Sequence, residues 1–94
     1  MTRIIIEHHV KDFDAWLAHF RAHAPTRERF GGKGGTVHRN EDDPNDLILV
    51  LPWESPERFD AFMRESDVRQ VMQRAGVVDE PRITVVSDPV PWDR

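Results

Sequence analysis

The chain has 94 residues, a formal net charge of −4 and no cysteine. This length predicts one domain over residues 1–94, with a core over about residues 3–88 and an extended tail over residues 89–94. The acidic balance, with basic residues scattered among acids, argues against a nucleic-acid partner and against binding to anionic membranes.

The short chain also favours self-association. A domain of this size buries only about two thirds of the surface that its unfolded form exposes. With no cysteine, no disulfide and no thiolate–metal site can compensate. Association with a second copy would hide further apolar surface, so we expect a homodimer.

The N-terminal segment favours a cytoplasmic location. It enters an Ile-rich strand at once, with neither the basic region nor the small-residue cleavage site of a secretory signal peptide. The longest apolar stretch, residues 47–53, is far shorter than the roughly 20 residues of a membrane span. We therefore expect a cytoplasmic protein with no membrane partner.

The first predicted element is a β-strand over residues 3–10, which are rich in β-branched side chains. Alternation gives the strand two faces. One face carries Ile4, Ile6, His8 and Val10, and the other carries Arg3, Ile5, Glu7 and His9. Because Val10 leads into the helix core, we place His8 on the side of the helices.

A helix follows, with Asp12 as its N-terminal cap. Its buried stripe has the i, i+3, i+4, i+7 spacing and consists of Phe13, Trp16, Leu17, Phe20 and Ala24. Pro25 discourages continuation, although a further turn over residues 26–30 is compatible with the sequence. The glycines at 31, 32, 34 and 35 then form a flexible connection to a second strand over residues 36–40.

Residues 41–46 form a polar turn cluster, and the apolar run 47–51 follows directly, which predicts a β-hairpin. If Asn40 pairs with Leu47, His38 lies opposite Leu49 and Thr36 lies opposite Leu51. These residues would then share one face with Trp53 nearby.

The sequence Ser55-Pro56-Glu57 predicts a helix start, because it combines a capping hydroxyl, a proline at the first position and an early acid. The apolar face of this helix carries Phe59, Phe62 and Met63. Ser66-Asp67 is predicted to cap a second segment, which Gly76 closes. A last strand is predicted over residues 82–87, before a tail that could pack on a partner subunit.

The order of elements is therefore βαββαβ, an α+β fold of the ferredoxin-like type, in which an antiparallel sheet carries helices on one face. The other face also carries apolar residues, among them Ile5, Ile48 and Val50. Face-to-face packing of two sheets would cover them, which again predicts a homodimer.

Four segments carry a resemblance to a known family: residues 10–16 (VKDFDAW), 39–45 (RNEDDPN), 53–55 (WES) and 66–68 (SDV). Through them the chain resembles the dimeric α/β-barrel superfamily, specifically the antibiotic-biosynthesis-monooxygenase-like domains, over about residues 3–88. The resemblance implies a dimeric α/β barrel. The superfamily includes cofactor-independent monooxygenases, polyketide cyclases, haem-degrading enzymes and domains with no established reaction, so one scaffold serves several functions.

Three other patterns are interpreted without a ligand. His19 and His23 have the i, i+4 spacing of a metal pair but lie off the apolar stripe, so we expect them to face solvent. The glycines precede a strand instead of opening a helix, unlike a phosphate loop. The acidic turn lacks the glycine and terminal glutamate of an EF-hand. No metal and no cofactor is expected.

The candidate catalytic residues are His8 and His38. A histidine in an apolar cavity has a displaced pKa and can act as a base near neutral pH. The expected substrate-binding walls are Ile6, Phe20, Trp53 and Phe62. The alternative for either histidine is a structural one, buried with one hydrogen bond or placed at a dimer interface.

Three functions stay open at this point. The first is a cofactor-independent monooxygenase or cyclase that acts on a small hydrophobic, aromatic or polyketide-like substrate. The second is a non-catalytic, small-molecule-binding or stress-associated dimer. The third is haem binding or degradation, against which residues 56–75 contain no histidine to bind the iron and Gln73 is not a usual haem ligand.

Overall fold

A computed structural model describes residues 1–93, so Arg94, the last residue of the predicted tail, lies outside the described residues. The strands are β1 (Thr2–His9), β2 (Thr36–Arg39), β3 (Asp46–Trp53) and β4 (Arg82–Val86). The helices are α1 (Phe13–Ala22), α2 (Ala24–Arg29), α3 (Pro56–Glu65) and α4 (Val68–Arg74). The element bounds agree with the predicted ones to within a few residues at most ends.

The four strands form one antiparallel sheet in the order β2-β3-β1-β4. An antiparallel sheet in this strand order, with the helices on one of its faces, is the ferredoxin-like arrangement. The predicted α+β fold class is therefore confirmed. Beyond the end of β1, Val10 forms an isolated antiparallel bridge with Val77 in the loop after α4. None of the helices within residues 1–93 is long and apolar enough to cross a membrane.

The alternation predicted for β1 is confirmed. The face that carries Ile4, Ile6, His8 and Val10 is buried against the helices. The core that these residues join is built from the inward side chains of β3 and the apolar faces of α1, α3 and α4: Leu47, Leu49, Leu51, Trp53, Trp16, Phe59, Phe62, Val68 and Ala75. The pocket described below lies within this layer.

Side-chain caps fix where the long helices begin. The carboxylate of Asp12 accepts the backbone N–H of Asp14 at 3.1 Å, and Ser55 Oγ accepts the backbone N–H of Arg58 at 3.1 Å. Pro56 occupies the first turn of α3, where its missing N–H costs nothing. Both caps were predicted, and they orient the aromatic faces of α1 and α3 toward the sheet.

The junction between α3 and α4 differs from the predicted cap. Asp67 precedes α4 but makes no side-chain capping bond. Ser66 instead donates its hydroxyl to the carbonyl oxygen of Phe62 at 2.7 Å, which ends α3. Gly76 closes α4 with a φ of 87°, as its predicted role requires.

The predicted hairpin register is wrong by one residue. Arg39, not Asn40, pairs with Leu47, and Asn40 donates its backbone N–H to the carbonyl oxygen of Asp46, the first residue of β3, at 2.9 Å. His38 therefore pairs with Ile48. A shift of one residue moves every side chain of β2 to the opposite face of the sheet.

The sheet face turned away from the helices is called the outer face and is defined by Ile5, Ile48 and Val50. Ile48 is 39% exposed, and the other two are half-buried. His38 lies on this face beside Ile48. The outer face thus carries apolar side chains with no helix over them, as the sequence predicted.

Candidate functional site

A pocket lies between the helix-facing side of the sheet and the four helices, with α2 contributing to it through Arg27. The four predicted wall residues all line it, together with His8 and Trp16: Ile6, Phe20, Trp53 and Phe62. No aspartate or glutamate within residues 1–93 lines this pocket. That these four residues contact a substrate stays a prediction.

The pocket is narrow in this conformation. The space that the centre of a water-sized sphere can occupy is about 50 Å³, and the total empty space, part of it open to solvent, is about 570 Å³. The first volume corresponds to only a few water molecules. Met63 and Met72 line the pocket, and their unbranched side chains can change rotamer at low cost. A larger ligand therefore requires these side chains to move or occupies the mouth.

His8 is the polar group at the floor of the pocket. It is 3% exposed, and its Nδ1 is the one buried side-chain nitrogen or oxygen within residues 1–93 that lacks a hydrogen-bond partner. Its ring meets Trp16 edge-on, with 5.7 Å between the ring centroids. Burial lowers the pKa of His8, against a smaller opposing effect of the Asp79 charge. Burial therefore favours the neutral form of His8.

The side chain of His9 lies on the opposite face of β1 from His8, where it is exposed and surrounded by aspartates. Its backbone N–H donates to Asp79 Oδ1 at 2.9 Å, and its Nδ1 lies 2.7 Å from Asp79 Oδ2. Its Nε2 lies 3.6 Å from Asp46 and 3.9 Å from Asp43. The hydrogen bond with Asp79 raises the pKa of His9. These contacts tie the end of β1 to the loop after α4 and to the hairpin.

The predicted pocket placement of His38 is wrong. The corrected register puts it on the outer face, where it is exposed and its Nε2 lies 2.9 Å from the Thr36 hydroxyl. Arg39 takes the inward position, and its guanidinium carbon lies 3.9 Å from the centroid of the Phe13 ring. The structure therefore does not bring His8 and His38 together.

The structure instead places His23 and Arg27 at the pocket, although His23 was expected to face solvent. His23 is half-buried at the junction of α1 and α2, with its ring centroid 6.0 Å from that of Phe62. Burial lowers its pKa, and the Arg27 charge adds to this effect. The helical spacing held a usable signal, because His23 and Arg27 follow Phe20 at i+3 and i+7.

The described residues form no cluster of metal-binding side chains. No group of three or more histidine, cysteine, aspartate or glutamate side chains within residues 1–93 is arranged to hold one. Neither α3 nor α4 supplies a histidine that could bind haem iron. The pocket chemistry is that of neutral imidazoles, aromatic walls and one arginine.

Solved structures share this architecture. A protein from Bordetella bronchiseptica assigned to the antibiotic biosynthesis monooxygenases has 18% identity and a TM-score of 0.78, with 95% of this chain and 97% of that chain covered. SnoaB from Streptomyces nogalater, a cofactor-independent oxygenase, has 12% identity and a TM-score of 0.78, with 99% and 97% covered. Rv0793 from Mycobacterium tuberculosis has 16% identity and a TM-score of 0.66, with 98% and 99% covered.

No protein-family model and no curated protein sequence matches the chain. At these identities the likeness establishes the fold, whereas activity depends on individual site residues. The resemblance expected from the four sequence segments is confirmed at this level. The chain thus has the fold of the antibiotic-biosynthesis-monooxygenase-like domains.

Proposed function

We propose that the chain is a cofactor-independent monooxygenase or cyclase that acts on a small hydrophobic, aromatic or polyketide-like substrate in the pocket between sheet and helices. The observation that carries this proposal is the buried, unpartnered Nδ1 of His8 at the floor of an aromatic-lined pocket within residues 1–93. A buried polar atom without a partner costs stability, so its presence at a pocket is consistent with a functional role.

His8 is the proposed base. In the tautomer protonated at Nε2, Nδ1 carries a lone pair that can accept a proton. Because burial keeps the imidazole neutral, this lone pair is free to accept a proton from an acidic C–H or phenol of the substrate. The apolar walls hold the substrate and limit the access of water to the resulting carbanion.

In the oxygenase reaction the carbanion gives an electron to O₂, and the two radicals combine to a peroxide. Elimination of water then leaves a carbonyl, so that one oxygen atom enters the product and the other enters water. In the cyclase reaction the same carbanion attacks a carbonyl carbon of its own molecule, and a proton is returned to the new alkoxide. His8 takes and returns the proton in both cases.

The structural similarity to SnoaB, a cofactor-independent oxygenase, supports the oxygenase over the cyclase. The alternative is a non-catalytic, small-molecule-binding or stress-associated dimer, which would use the same pocket without turnover. Haem binding ranks last, since α3 and α4 carry no histidine. The cytoplasmic location stays a prediction.

We also propose a homodimer formed through the outer face. Ile48, Ile5 and Val50 supply its apolar part, while Arg82 and Glu7 form an ion pair of 3.7 Å on the same face. Paired sheets would remove these apolar side chains from water. The tail is a further candidate contact, since Trp92 is 93% exposed.

Oxygen uptake tests the function. Anthrone-type and hydroquinone substrates are offered to metal-free wild-type protein, His8→Ala and the matched control His38→Ala, with catalase present. We expect uptake above the blank that falls at least about a hundredfold in His8→Ala, because a positioned base contributes about that much. His38→Ala should keep the wild-type rate. Uptake equal to the blank for every substrate would remove the oxygenase, and equal rates in both variants would remove His8 as its base.

A further inference from the structure

Arg27 is the one formally charged side chain that lines the pocket within residues 1–93. It belongs to α2 and is half-buried. Its guanidinium carbon lies 3.7 Å from the centroid of the Phe20 ring, so the cation covers one of the aromatic walls. Partial burial of this cation costs free energy, because a cation loses hydration when it leaves water, and an anionic ligand would offset that cost.

Arg27 forms no ion pair with a carboxylate within residues 1–93, although Glu28 lines a second depression beside it. None of the ion pairs found within residues 1–93 involves it, and Glu28 contributes only through its longer-range charge. Burial lowers the pKa of Arg27, yet a guanidinium stays protonated at any physiological pH. The contact with the Phe20 ring forms no hydrogen bond to a protein oxygen, so the N–H donors of Arg27 stay available to a ligand.

Arg39 is a useful comparison, because its guanidinium also contacts an aromatic ring but is held by a hydrogen bond within the protein. It also covers an aromatic ring of α1, with its guanidinium carbon 3.9 Å from the centroid of Phe13. Its Nε, however, donates to the carbonyl of Pro44 at 2.9 Å, and it does not line the pocket. Two arginines thus cover the two ends of the aromatic stripe of α1. Of this pair, Arg39 alone is anchored by a side-chain hydrogen bond to the described part of the chain.

Arg27 also lies between two cavities. It lines the main pocket and, with Gly32 and Trp53, a shallow depression beside α2. A ligand in the main pocket can therefore reach the guanidinium while remaining near the surface. At the opposite end of the same wall, beyond the stacked rings of Phe20 and Trp16, lies His8.

We infer that Arg27 is the anion-binding residue of this pocket and that the ligand is an aromatic molecule carrying a carboxylate or an ionised phenol. This inference rests on the proposed function in one respect, namely that the pocket takes a small aromatic ligand. Arginine binds a carboxylate through two parallel N–H···O bonds, and such charge-assisted bonds are strong where water is scarce. The anionic group lies at Arg27, and the aromatic body lies along Phe20 and Trp16 toward His8.

A matched pair of probes tests this. The protein is titrated with 2-naphthoate and with its uncharged isostere 2-naphthamide at pH 7.5 by calorimetry. Wild type should bind naphthoate at least about tenfold more tightly, the effect of one charge-assisted contact. Arg27→Met should lose this preference and keep its affinity for naphthamide. The control Arg39→Met removes the same charge and the same type of ring contact, and it should keep the preference.

The three indole N–H signals locate the probe by NMR. Trp16 and Trp53 line the pocket, and Trp92 lies exposed in the tail, so the first two should shift while the third stays in place. If Arg27→Met does not fold, Arg27→Gln provides the same comparison. Equal binding of both probes to wild type, or a preference that survives in the Arg27 variants, would overturn the role of Arg27 alone. Binding of neither probe would overturn the ligand-binding pocket and this inference together.

Discussion

The imidazole of His8 meets the indole of Trp16 edge-on, at a centroid separation of 5.7 Å and an interplanar angle of 68°. The contact holds the imidazole ring against α1 and buries it, while Nδ1 finds no hydrogen-bond acceptor or donor within residues 1–93. A histidine held in this way is a stability cost that the fold retains, and its pKa falls because the charged form loses its hydration.

Replacing this histidine should stabilise the protein. His8→Leu removes an unpartnered buried nitrogen and introduces an apolar side chain of similar size, so we expect a gain of about 1 kcal/mol in the free energy of unfolding at pH 7.5. Urea denaturation measures it. Activity should be lost in the same variant, and a variant that is both less stable and fully active would contradict the proposed role.

The same variant tests the pH dependence. The folded-state pKa of His8 lies below the ordinary value of 6.5, so below about pH 6.5 the unfolded chain binds a proton that the folded chain does not. The stability of wild type should therefore fall as the pH drops through this range, by at most about 1.4 kcal/mol per pH unit from this group. The advantage of His8→Leu over wild type should grow between pH 7.5 and pH 5. A constant difference would show that His8 titrates normally.

His9 should behave in the opposite way. Its hydrogen bond with Asp79 raises its pKa above 6.5, so its contribution to stability is complete below that pH and is lost as the pH rises through its folded-state pKa. Asp79→Asn should lower the pKa of His9 toward 6.5 in an NMR titration of the imidazole signals. Glu80→Gln is the matched control, because Glu80 pairs with Arg69 instead. A His9 pKa that is equal in wild type and Asp79→Asn would refute the ion pair.

The approach of β2 to β3 depends on Gly35. Its φ is 130°, and a Cβ there would lie 2.3 Å from the carbonyl oxygen of Val50. Gly35→Ala should therefore cost roughly 2–4 kcal/mol in unfolding free energy, through backbone strain and displacement of β2. Gly34→Ala has a positive φ of 78° but no neighbour within 4 Å, so it should cost only about 1 kcal/mol. Thermal or urea denaturation separates the two, and equal costs would exclude the contact with Val50 as the cause.

The proposed dimer predicts that a charge on the outer face dissociates the subunits. Ile48→Glu would place two like charges in an apolar interface and should weaken the dimer at least tenfold, or roughly 1.4 kcal/mol. Sedimentation equilibrium measures this. Val78→Glu introduces the same charge at a 62% exposed valine in the loop between α4 and β4, and should leave the association unchanged. A wild-type protein that is monomeric at all concentrations would end the dimer proposal.

The sequence by itself determined the elements and most of their inward faces. Period-two alternation placed His8 beside Ile4 and Ile6, and the helical spacing of Phe13, Trp16 and Phe20 placed the aromatic wall. These assignments succeed because they depend on local geometry, in which side-chain direction follows from residue number. The capping side chains of Asp12 and Ser55 are local in the same sense.

Only the tertiary structure decided which polar groups share the pocket. His38 went to the outer face because Arg39, not Asn40, pairs with Leu47, and the pairing of two strands depends on turn geometry that residue types do not specify. His23 and Arg27 joined the pocket because the chain continues past Ala22 into α2, which lies against Phe20 and Phe62. The helical spacing after Phe20 indicated the direction of His23 and Arg27, but the strand register and the bend between α1 and α2 are fixed by packing against distant residues.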